Sequence, residues 1–257
     1  VGLMNLQYAI EDNNVYVLEA NPRASRTVPL VSKVCNVRMV PIATEIITAE
    51  FTKKASPVPN LKEQTIPYYG VKEAVFPFNM FQEVDPILGP EMRSTGEVLG
   101  LSKTVGGAFF RAQEATQTKL PTSGSVLISV NKKDKAEIID VAKGLEKANF
   151  KIYATGKTYE LIREANIPCE KVKKQYEGRP NLLDLIANDE IDMVINSPVG
   201  DDSEYDDSYL RKAVIKAKIP YMTTVAAAMA TVEGILDAQN GGLGEVNSIQ
   251  DLHASIK

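Results

Sequence analysis

The sequence predicts an α/β protein whose second half folds as a doubly wound, five-stranded parallel sheet. Three observations support this. Short apolar strands alternate with helical patterns five times after residue 124. A turn-rich segment lies before them, and the residues before that segment have a different pattern of hydrophobic spacing. With 257 residues, 44% of them hydrophobic, the chain is long enough for two domains with separate cores. We place these domains at residues 1–121 and 122–257.

A β-hairpin is predicted at the start of the chain. Apolar-rich strands at 3–10 and 15–18 flank the tetrapeptide Glu-Asp-Asn-Asn, whose residues favour turns. If the loop holds an odd number of residues centred on Asn13, Gln7 lies directly across from Glu19. The hairpin then brings two polar side chains to one face.

The segment Glu-Ala-Asn-Pro-Arg-Ala-Ser-Arg at 19–26 has the residue types of a metal and phosphate site. Alternation along a strand places Glu19 and Asn21 on one side, and Arg23 and Arg26 follow where a helix begins. Mg²⁺ prefers oxygen ligands, guanidinium groups bind phosphate in a bidentate manner, and a helix N-terminus adds positive charge. The alternative is a solvated strand face with arginines that cap or pair.

The other elements of the first half follow from hydrophobic spacing and breakers. Helical spacing covers 36–50 and, over a shorter stretch, 104–113, whereas 70–79 has the composition of a strand. Two prolines indicate an exposed connection up to residue 64. The segment Lys-Leu-Pro-Thr-Ser-Gly at 119–124 predicts the domain boundary.

The second half alternates strands with helices. Such alternation predicts a parallel sheet covered on both faces, with ligands at the carboxyl ends of the strands. The predicted strands are 125–130, 151–154, 171–172, 192–196 and 219–222, and the predicted helices are 134–148, 159–165, 182–187, 207–217 and 226–238.

Polar residues follow four of these strands. Hydroxyls, amides and the N–H groups at a helix start can hold an oxyanion, so the sequence predicts a phosphate site. The alternative is that small polar residues are simply common in such turns. The residues concerned are Ser129, Thr155 to Thr158, Lys173, Lys174, Asn196 and Ser197.

Two long motifs resemble a known family. Val-Gly-Leu-Met-Asn-Leu-Gln at 1–7, followed by Val-Leu-Glu-Ala-Asn-Pro-Arg-Ala-Ser-Arg-Thr-Val-Pro at 17–29, is similar to the C-terminal half of the carbamoyl phosphate synthase large subunit, as are 68–79 and 84–97. The resemblance spans essentially the whole chain. It implies the C-terminal piece of an ATP-grasp α+β domain at 1–121 and a methylglyoxal-synthase-like regulatory domain at 122–257.

The resemblance also implies a reaction. In that family the matching Gln, Glu and Asn bind the Mg²⁺ or Mn²⁺ of ATP, which implies that Gln7, Glu19 and Asn21 are metal ligands. Arg23 and Arg26 would be catalytic residues that hold phosphoryl oxygens. The implied activity is ATP-dependent phosphorylation of carbamate for pyrimidine and arginine synthesis. The sequence shows no glycine-rich loop or lysine for the nucleotide, so we expect the chain alone to be inactive.

Regulation is implied in the same way. The family's terminal domain binds nucleotide monophosphates, and an ornithine-like activator would contact Glu73 and Thr224. The acidic stretch 201–207 would weaken an anion's binding unless its side chains point away or pair. The effector contacts implied are Ser129, Lys135, Thr155, Thr158, Lys173, Asn196 and Ser197.

Composition and resemblance together define the expected partners. The formal net charge of −4, with neither half basic, argues against a nucleic-acid partner. No apolar run approaches the ~18 residues of a membrane helix, so we expect a cytoplasmic protein. The resemblance implies the rest of the large subunit, a glutamine amidotransferase small subunit and an oligomer as partners.

Two alternatives remain open. A free-standing nucleotide-sensing module is one, and a methylglyoxal-forming lyase is the other. The lyase would need Asp and His at the strand ends. The single histidine, His253, lies outside the strand-helix pattern, where we expect an ordinary surface residue, and Cys35 and Cys169 are expected to be reduced thiols.

Overall fold

A computed structural model describes residues 2–54, 64–77, 93–197, 204–244 and 246–257, with only the backbone described at 204–207. The chain forms two compact units, Val1–Tyr69 with Glu245–Lys257, and Gly70–Gly244. The domain boundary predicted between residues 121 and 122 falls inside the second unit. The connection predicted up to residue 64 lies almost entirely outside the described residues.

The first unit begins with the predicted hairpin. Strands β1 (Asn5–Glu11) and β2 (Asn14–Asn21) pair antiparallel. Two helices follow at the predicted places, α1 (Thr27–Val34) and α2 (Met39–Thr52).

The hairpin turn differs from the prediction, although the predicted pairing is confirmed. The loop holds two residues, Asp12 and Asn13, both at positive φ (47° and 65°). Asp and Asn tolerate the left-handed region that such two-residue turns require. Gln7 pairs with Glu19, but the register shifts after Gln7 so that Leu18 is an extra residue, a β-bulge. The bulge compensates for the shorter loop.

The second unit opens with a two-stranded sheet formed by β3 (Tyr69–Val75) and β4 (Gly96–Ser102). The strand predicted at 70–79 is confirmed as β3 as far as Val75, residues 76 and 77 lie beyond its end, and 78–79 are outside the described residues. No strand was predicted at β4. Helix α3 (Val105–Ala115) follows, as predicted.

A five-stranded parallel sheet dominates this unit. Its order is β7-β6-β5-β8-β9, which confirms the predicted doubly wound fold class. The predicted elements shift by a few residues at most, and a short 3-10 turn at Lys133–Lys135 replaces the first turn predicted for the first helix. The strands are β5 (Ser125–Ser129), β6 (Lys151–Thr155), β7 (Glu170–Val172), β8 (Met193–Asn196) and β9 (Tyr221–Met222), and the helices are α4 (Ile138–Lys147), α5 (Gly156–Glu164), α6 (Leu182–Ala187), α7 (Glu204–Lys216) and α8 (Val225–Gln239).

The central strand β5 shows why the sheet is covered on both sides. Val126 and Ile128 belong to the core cluster that contains residues of α4, α5 and α8, whereas Leu127 belongs to the cluster that contains residues of α6 and α7. All three side chains are fully buried. A continuous apolar run is what a strand buried on both faces requires, because successive side chains point to opposite faces.

Helix α3 packs tightly against α8. A Cβ on Gly106 would lie 2.7 Å from a backbone carbon of Glu233, so only glycine permits this approach. The Asp237 carboxylate of α8 also accepts hydrogen bonds from the Thr104 hydroxyl and the Gly107 N–H at the start of α3. These contacts explain why α3 shares a compact unit with the sheet.

A last helix, α9 (Ile249–Ala254), belongs to the first unit and was not predicted. The His253 ring contacts the Lys33 carbonyl there. Both cysteines are free, and burial raises the pKa of the Cys169 thiol to about 11. Within the described ranges, no helix combines the length and the apolar character needed to cross a membrane.

Candidate functional site

The hairpin brings three oxygen-bearing side chains together. Gln7 lies opposite Glu19 on the neighbouring strand, and Asn21 donates its side-chain N–H to Glu19 Oε1. This bond directs the amide nitrogen of Asn21 to the carboxylate and leaves its Oδ1 as an acceptor. Gln7 and Glu19 are exposed, and Asn21 is partly buried. The predicted trio is therefore adjacent and open to solvent.

Both predicted arginines lie between β2 and α1. Arg23 donates from Nη1 to the Ala24 carbonyl at 3.4 Å, and Arg26 occupies the N-cap position of α1. Both side chains are exposed. The predicted order of strand, arginines and helix start is present in the structure.

The chemistry of this trio fits a hard cation. One carboxylate and two amide oxygens are ligands that Mg²⁺ accepts when substrate phosphates complete its coordination. No cluster of three His, Cys, Asp or Glu with metal-binding geometry occurs among the described residues. A cation at the hairpin would therefore depend on the amide oxygens as well as on Glu19.

A cavity of about 360 Å³ opens at the carboxyl ends of β5 and β6. Three of the residues that line it, Ser129, Thr155 and Thr158, carry hydroxyl groups and are only 8%, 2% and 3% exposed. Ser129 Oγ and Thr155 Oγ1 are 2.8 Å apart. The full lining is Ser129, Val130, Lys135, Thr155, Gly156, Lys157, Thr158, Lys174, Tyr176 and Glu177.

The start of α5 faces this cavity. Thr155 occupies its N-cap position, yet its side chain makes no capping hydrogen bond to the helix. Gly156 has φ +41°, and a Cβ there would meet no atom within 4 Å, so the backbone is approachable from the cavity. The first N–H groups of a helix are suited to an anion.

Three lysines surround the hydroxyls, from the turn after β5 (Lys135), from α5 (Lys157) and from beyond β7 (Lys174). Burial lowers the pKa of Lys135, and the positive charge of Lys157 lowers it further. The Glu177 carboxylate accepts a hydrogen bond from the Lys174 backbone N–H at 2.7 Å. The cavity is thus electropositive.

One lysine differs from the prediction. Of the two that follow β7, Lys174 lines the cavity and Lys173 does not. Lys173 is exposed, and its carbonyl accepts a hydrogen bond from the Leu182 N–H at 3.0 Å. Neighbouring residues in extended backbone point to opposite sides, so only one of the pair can face the cavity.

Asn196 and Ser197 support the cavity from outside its lining. Asn196 donates to the Ser129 carbonyl at 2.9 Å and accepts from the Tyr221 hydroxyl at 2.7 Å. Ser197 Oγ accepts from the Asn131 N–H at 3.0 Å. Their bonds fix the end of β5 and the turn that carries Lys135, so we interpret them as positioning residues.

The remaining predicted residues are separate from this cavity. Glu73 lies on β3, where burial raises the pKa of its carboxyl. Thr224 Oγ1 caps α8 by accepting from the Ala227 N–H at 3.1 Å. Their role toward an ornithine-like activator stays a prediction. In the acidic stretch 201–207, residues 201–203 and the side chains of 204–207 lie outside the described structure.

Sequence reasoning placed Lys157 in the phosphate site only as part of the segment 155–158, and it did not assign Tyr176 or Glu177 to the site. Lys157 sits within the polar segment that follows β6, so its position was a usable signal. Tyr176 and Glu177 belong to a 3-10 turn, Gln175–Glu177, after β7. No strand-helix pattern marks such a turn in a sequence.

A doubly wound sheet with a cavity lined by lysines and hydroxyl residues at its strand ends defines the class of the second unit. The family model described as "MGS-like domain" matches residues 137–223. Among solved structures, methylglyoxal synthase from Elizabethkingia anophelis NUHP1 has a TM-score of 0.36 at 18% identity, covering 44% of this chain and 79% of that chain. The fold assignment rests on the strand order and the family model.

Curated relatives extend the match to nearly the whole chain. The "Carbamoyl phosphate synthase large chain, C-terminal section" of Aquifex aeolicus (strain VF5) is 43% identical over 98% of this chain and 50% of its own length. That of Methanopyrus kandleri is 42% identical over 98% of this chain and 47% of its own length. The chain therefore spans about half the length of these relatives.

A longer relative shows the same similarity. The "Carbamoyl phosphate synthase large chain" of Acidobacterium capsulatum is 44% identical over 99% of this chain and 23% of its own length. The chain is homologous to the C-terminal part of the carbamoyl phosphate synthase large chain, and the resemblance predicted from its motifs is confirmed.

Proposed function

We propose that this chain is the C-terminal part of a carbamoyl phosphate synthase large chain, which phosphorylates carbamate with ATP in pyrimidine and arginine synthesis. Its first unit would contribute to the phosphoryl-transfer site, and its sheet would bind a regulatory nucleotide. The observation that supports the catalytic part is the pairing of Gln7 with Glu19, with Asn21 hydrogen-bonded to that carboxylate.

The hairpin residues would act by position and charge. Glu19, Gln7 and Asn21 would hold Mg²⁺ or Mn²⁺. When bound, the cation would neutralise negative charge on the phosphoryl oxygens. Arg23 and Arg26 would donate hydrogen bonds to the same phosphoryl group from the start of α1. Phosphoryl transfer demands mainly orientation and charge stabilisation, and these side chains can provide both.

The exposed apolar side chains of the hairpin support the proposal that further protein packs against it. Ile10 is 74% exposed and Leu18 65%, and Tyr8 and Val17 are also more than half exposed. A two-stranded hairpin is marginal in water unless its apolar surface packs against something. We infer that the rest of the large subunit covers it, with a glutamine amidotransferase small subunit completing the assembly. The isolated chain should then be inactive.

A variant of Glu19 tests the catalytic proposal. The chain would be assembled with the remainder of a large subunit, and ATP-dependent carbamoyl phosphate formation measured. Glu19→Gln should lower turnover by about a hundredfold or more, because one charged group at a phosphoryl-transfer site is worth several kcal/mol. Glu11→Gln, on the same hairpin, is the matched control.

Two results would contradict the proposal. Wild-type turnover by Glu19→Gln would remove Glu19 from the site. Carbamoyl phosphate formation by the isolated chain would show that no further segment is needed.

The lyase alternative gains no support from the cavity. Among the described residues that line it, none is Asp or His, and the one acidic residue, Glu177, is hydrogen-bonded to the Lys174 backbone. His253 lies in the other compact unit. Effector binding is therefore the function that the described lining favours.

A further inference from the structure

The residues that line the cavity carry more positive charge than the binding of one phosphate group requires. Lys135, Lys157 and Lys174 reach it from three separate segments of chain. Among the described lining residues, Glu177 is the single carboxylate, and it faces the Lys174 backbone N–H. Three lysine residues thus line one space of about 360 Å³.

Such convergence is unfavourable without an anion. After burial, the largest influence that lowers the pKa of Lys135 is the charge of Lys157, and Lys132 and Lys174 act in the same direction. Glu160 opposes them. Like charges that line one cavity repel each other, so an anion that binds among them relieves the repulsion.

The groups lie at two depths. Ser129, Thr155 and Thr158 are more than nine-tenths buried. Ser129 Oγ and Thr155 Oγ1 share one hydrogen bond at 2.8 Å, and Thr158 Oγ1 lies 3.4–3.5 Å from the backbone of Val130. The hydroxyl proton that this pair leaves free and the N–H groups at the start of α5 are therefore the deep donors for one phosphoryl group. Lys157 is exposed, so it lies toward the cavity mouth, one residue beyond Gly156. A single deep phosphoryl group leaves this outer ammonium unused.

We infer that Lys157 forms a second anionic subsite, so that the cavity prefers a ligand with two linked phosphoryl groups, such as a nucleoside diphosphate, over the matching monophosphate. This inference rests on the proposed effector function and refines its ligand class. The deep hydroxyls and Lys174 hold the terminal phosphoryl group, and Lys157 pairs with the next one. The cavity volume falls in the usual range for small ligands, roughly 300–1,000 Å³.

Calorimetric titration of the full chain with uridine mono- and diphosphate in magnesium-free buffer tests this. We expect the diphosphate to bind about tenfold more tightly, the factor typical of one added charge-assisted contact. Lys157→Gln should abolish that preference while leaving monophosphate affinity nearly unchanged. Lys147→Gln, an exposed lysine on α4 outside the lining, should retain the preference.

Pyrophosphate and inorganic phosphate provide the same comparison without a base. The inference is overturned if the monophosphate binds as tightly as the diphosphate, or if Lys157→Gln weakens both by the same factor; in either case the effector site itself would stand. If neither nucleotide nor either inorganic anion binds, the proposed effector function fails and this inference fails with it.

Discussion

The hairpin and the five-stranded sheet present their candidate sites in opposite ways. On the hairpin, Gln7 and Glu19 lie in open solvent on a two-stranded ribbon. In the sheet, the residues Thr155 and Thr158 are only 2% and 3% exposed and belong to a unit with a large buried hydrophobic core. The cavity at the sheet is bounded by residues of its own unit, whereas the candidate ligands on the hairpin are exposed to solvent.

The two sites also differ in how their residues are joined. The hairpin trio spans two adjacent strands of one local element. The cavity combines the ends of β5 and β6 with the segment after β7, so it exists only once the parallel sheet has formed. A local element can present side chains early, but closure over a ligand requires long-range packing.

The largest expected effect is on stability and compares a buried apolar side chain of the sheet with an exposed one of the hairpin. Leu127→Ala should destabilise the sheet unit by about 2–5 kcal/mol, because the side chain is fully buried in the central strand. Ile10→Ala, 74% exposed on the hairpin, should cost less than about 0.5 kcal/mol in the isolated chain. Urea denaturation measures both. If Ile10→Ala lowered the free energy of unfolding as much as Leu127→Ala does, the contrast between an exposed hairpin and a buried sheet would be wrong.

A second prediction separates two neighbouring lysines. Lys174→Gln should weaken uridine monophosphate binding by about 10- to 100-fold, since a charge-assisted hydrogen bond contributes roughly 1.5–3 kcal/mol. Lys173→Gln is the matched control and should bind nearly as wild type. Calorimetry measures both affinities, and the reverse ranking would return the predicted role to Lys173.

A smaller effect is expected from the residues that support the cavity. Tyr221→Phe removes the hydrogen bond to Asn196 Oδ1 and should cost about 0.5–1.5 kcal/mol of folding free energy. Nucleotide affinity should fall only a few-fold, because Asn196 acts through the end of β5. Tyr16→Phe on the exposed hairpin is the control for thermal and chemical unfolding. A total loss of binding with unchanged stability would indicate direct ligand contact instead.

The smallest effect concerns pH. The hydrogen bond from Arg179 holds the pKa of Asp184 below its usual range, helped by the Asn181 N–H at the start of α6. A carboxyl whose pKa is lower in the folded state stabilises the fold above its unfolded pKa. That contribution is lost as pH falls through the folded pKa.

Asp184→Asn should therefore flatten the acid side of the curve of melting temperature against pH. Asp189→Asn, just beyond the other end of α6, is the matched control for the change of residue type. An unaltered acid slope in Asp184→Asn would show that the pair with Arg179 adds nothing to stability.

Much of the sheet unit could be predicted because its signals are local. Every predicted strand from 125 onward appears, since runs such as Val-Leu-Ile at 126–128 can be buried on both faces only in a covered parallel sheet. The hairpin was predicted from turn residues in the same way. Its loop length was wrong because the bulge at Leu18 leaves no mark in hydrophobic spacing.

The residues that meet in space were harder to predict. The sequence placed both Lys173 and Lys174 at a strand end and could not choose between them, because β7 is only three residues long and shows no alternation. In the structure, Lys174 lines the cavity. Asn196 and Ser197 are at the predicted strand end, yet their bonds go to Ser129 and Asn131. Which neighbour takes a polar group's hydrogen bond depends on packing across several strands.

By itself, the sequence determined the element types, the parallel sheet, the similarity to carbamoyl phosphate synthase large chains and the set of polar residues at the strand ends, because each depends on local periodicity or on a contiguous motif. Only the tertiary structure decided the bulge that aligns Gln7 with Glu19, the lysines that line the cavity and the packing of α3 against α8. Those features depend on register and on close approach between distant segments, which hydrophobic patterning does not encode.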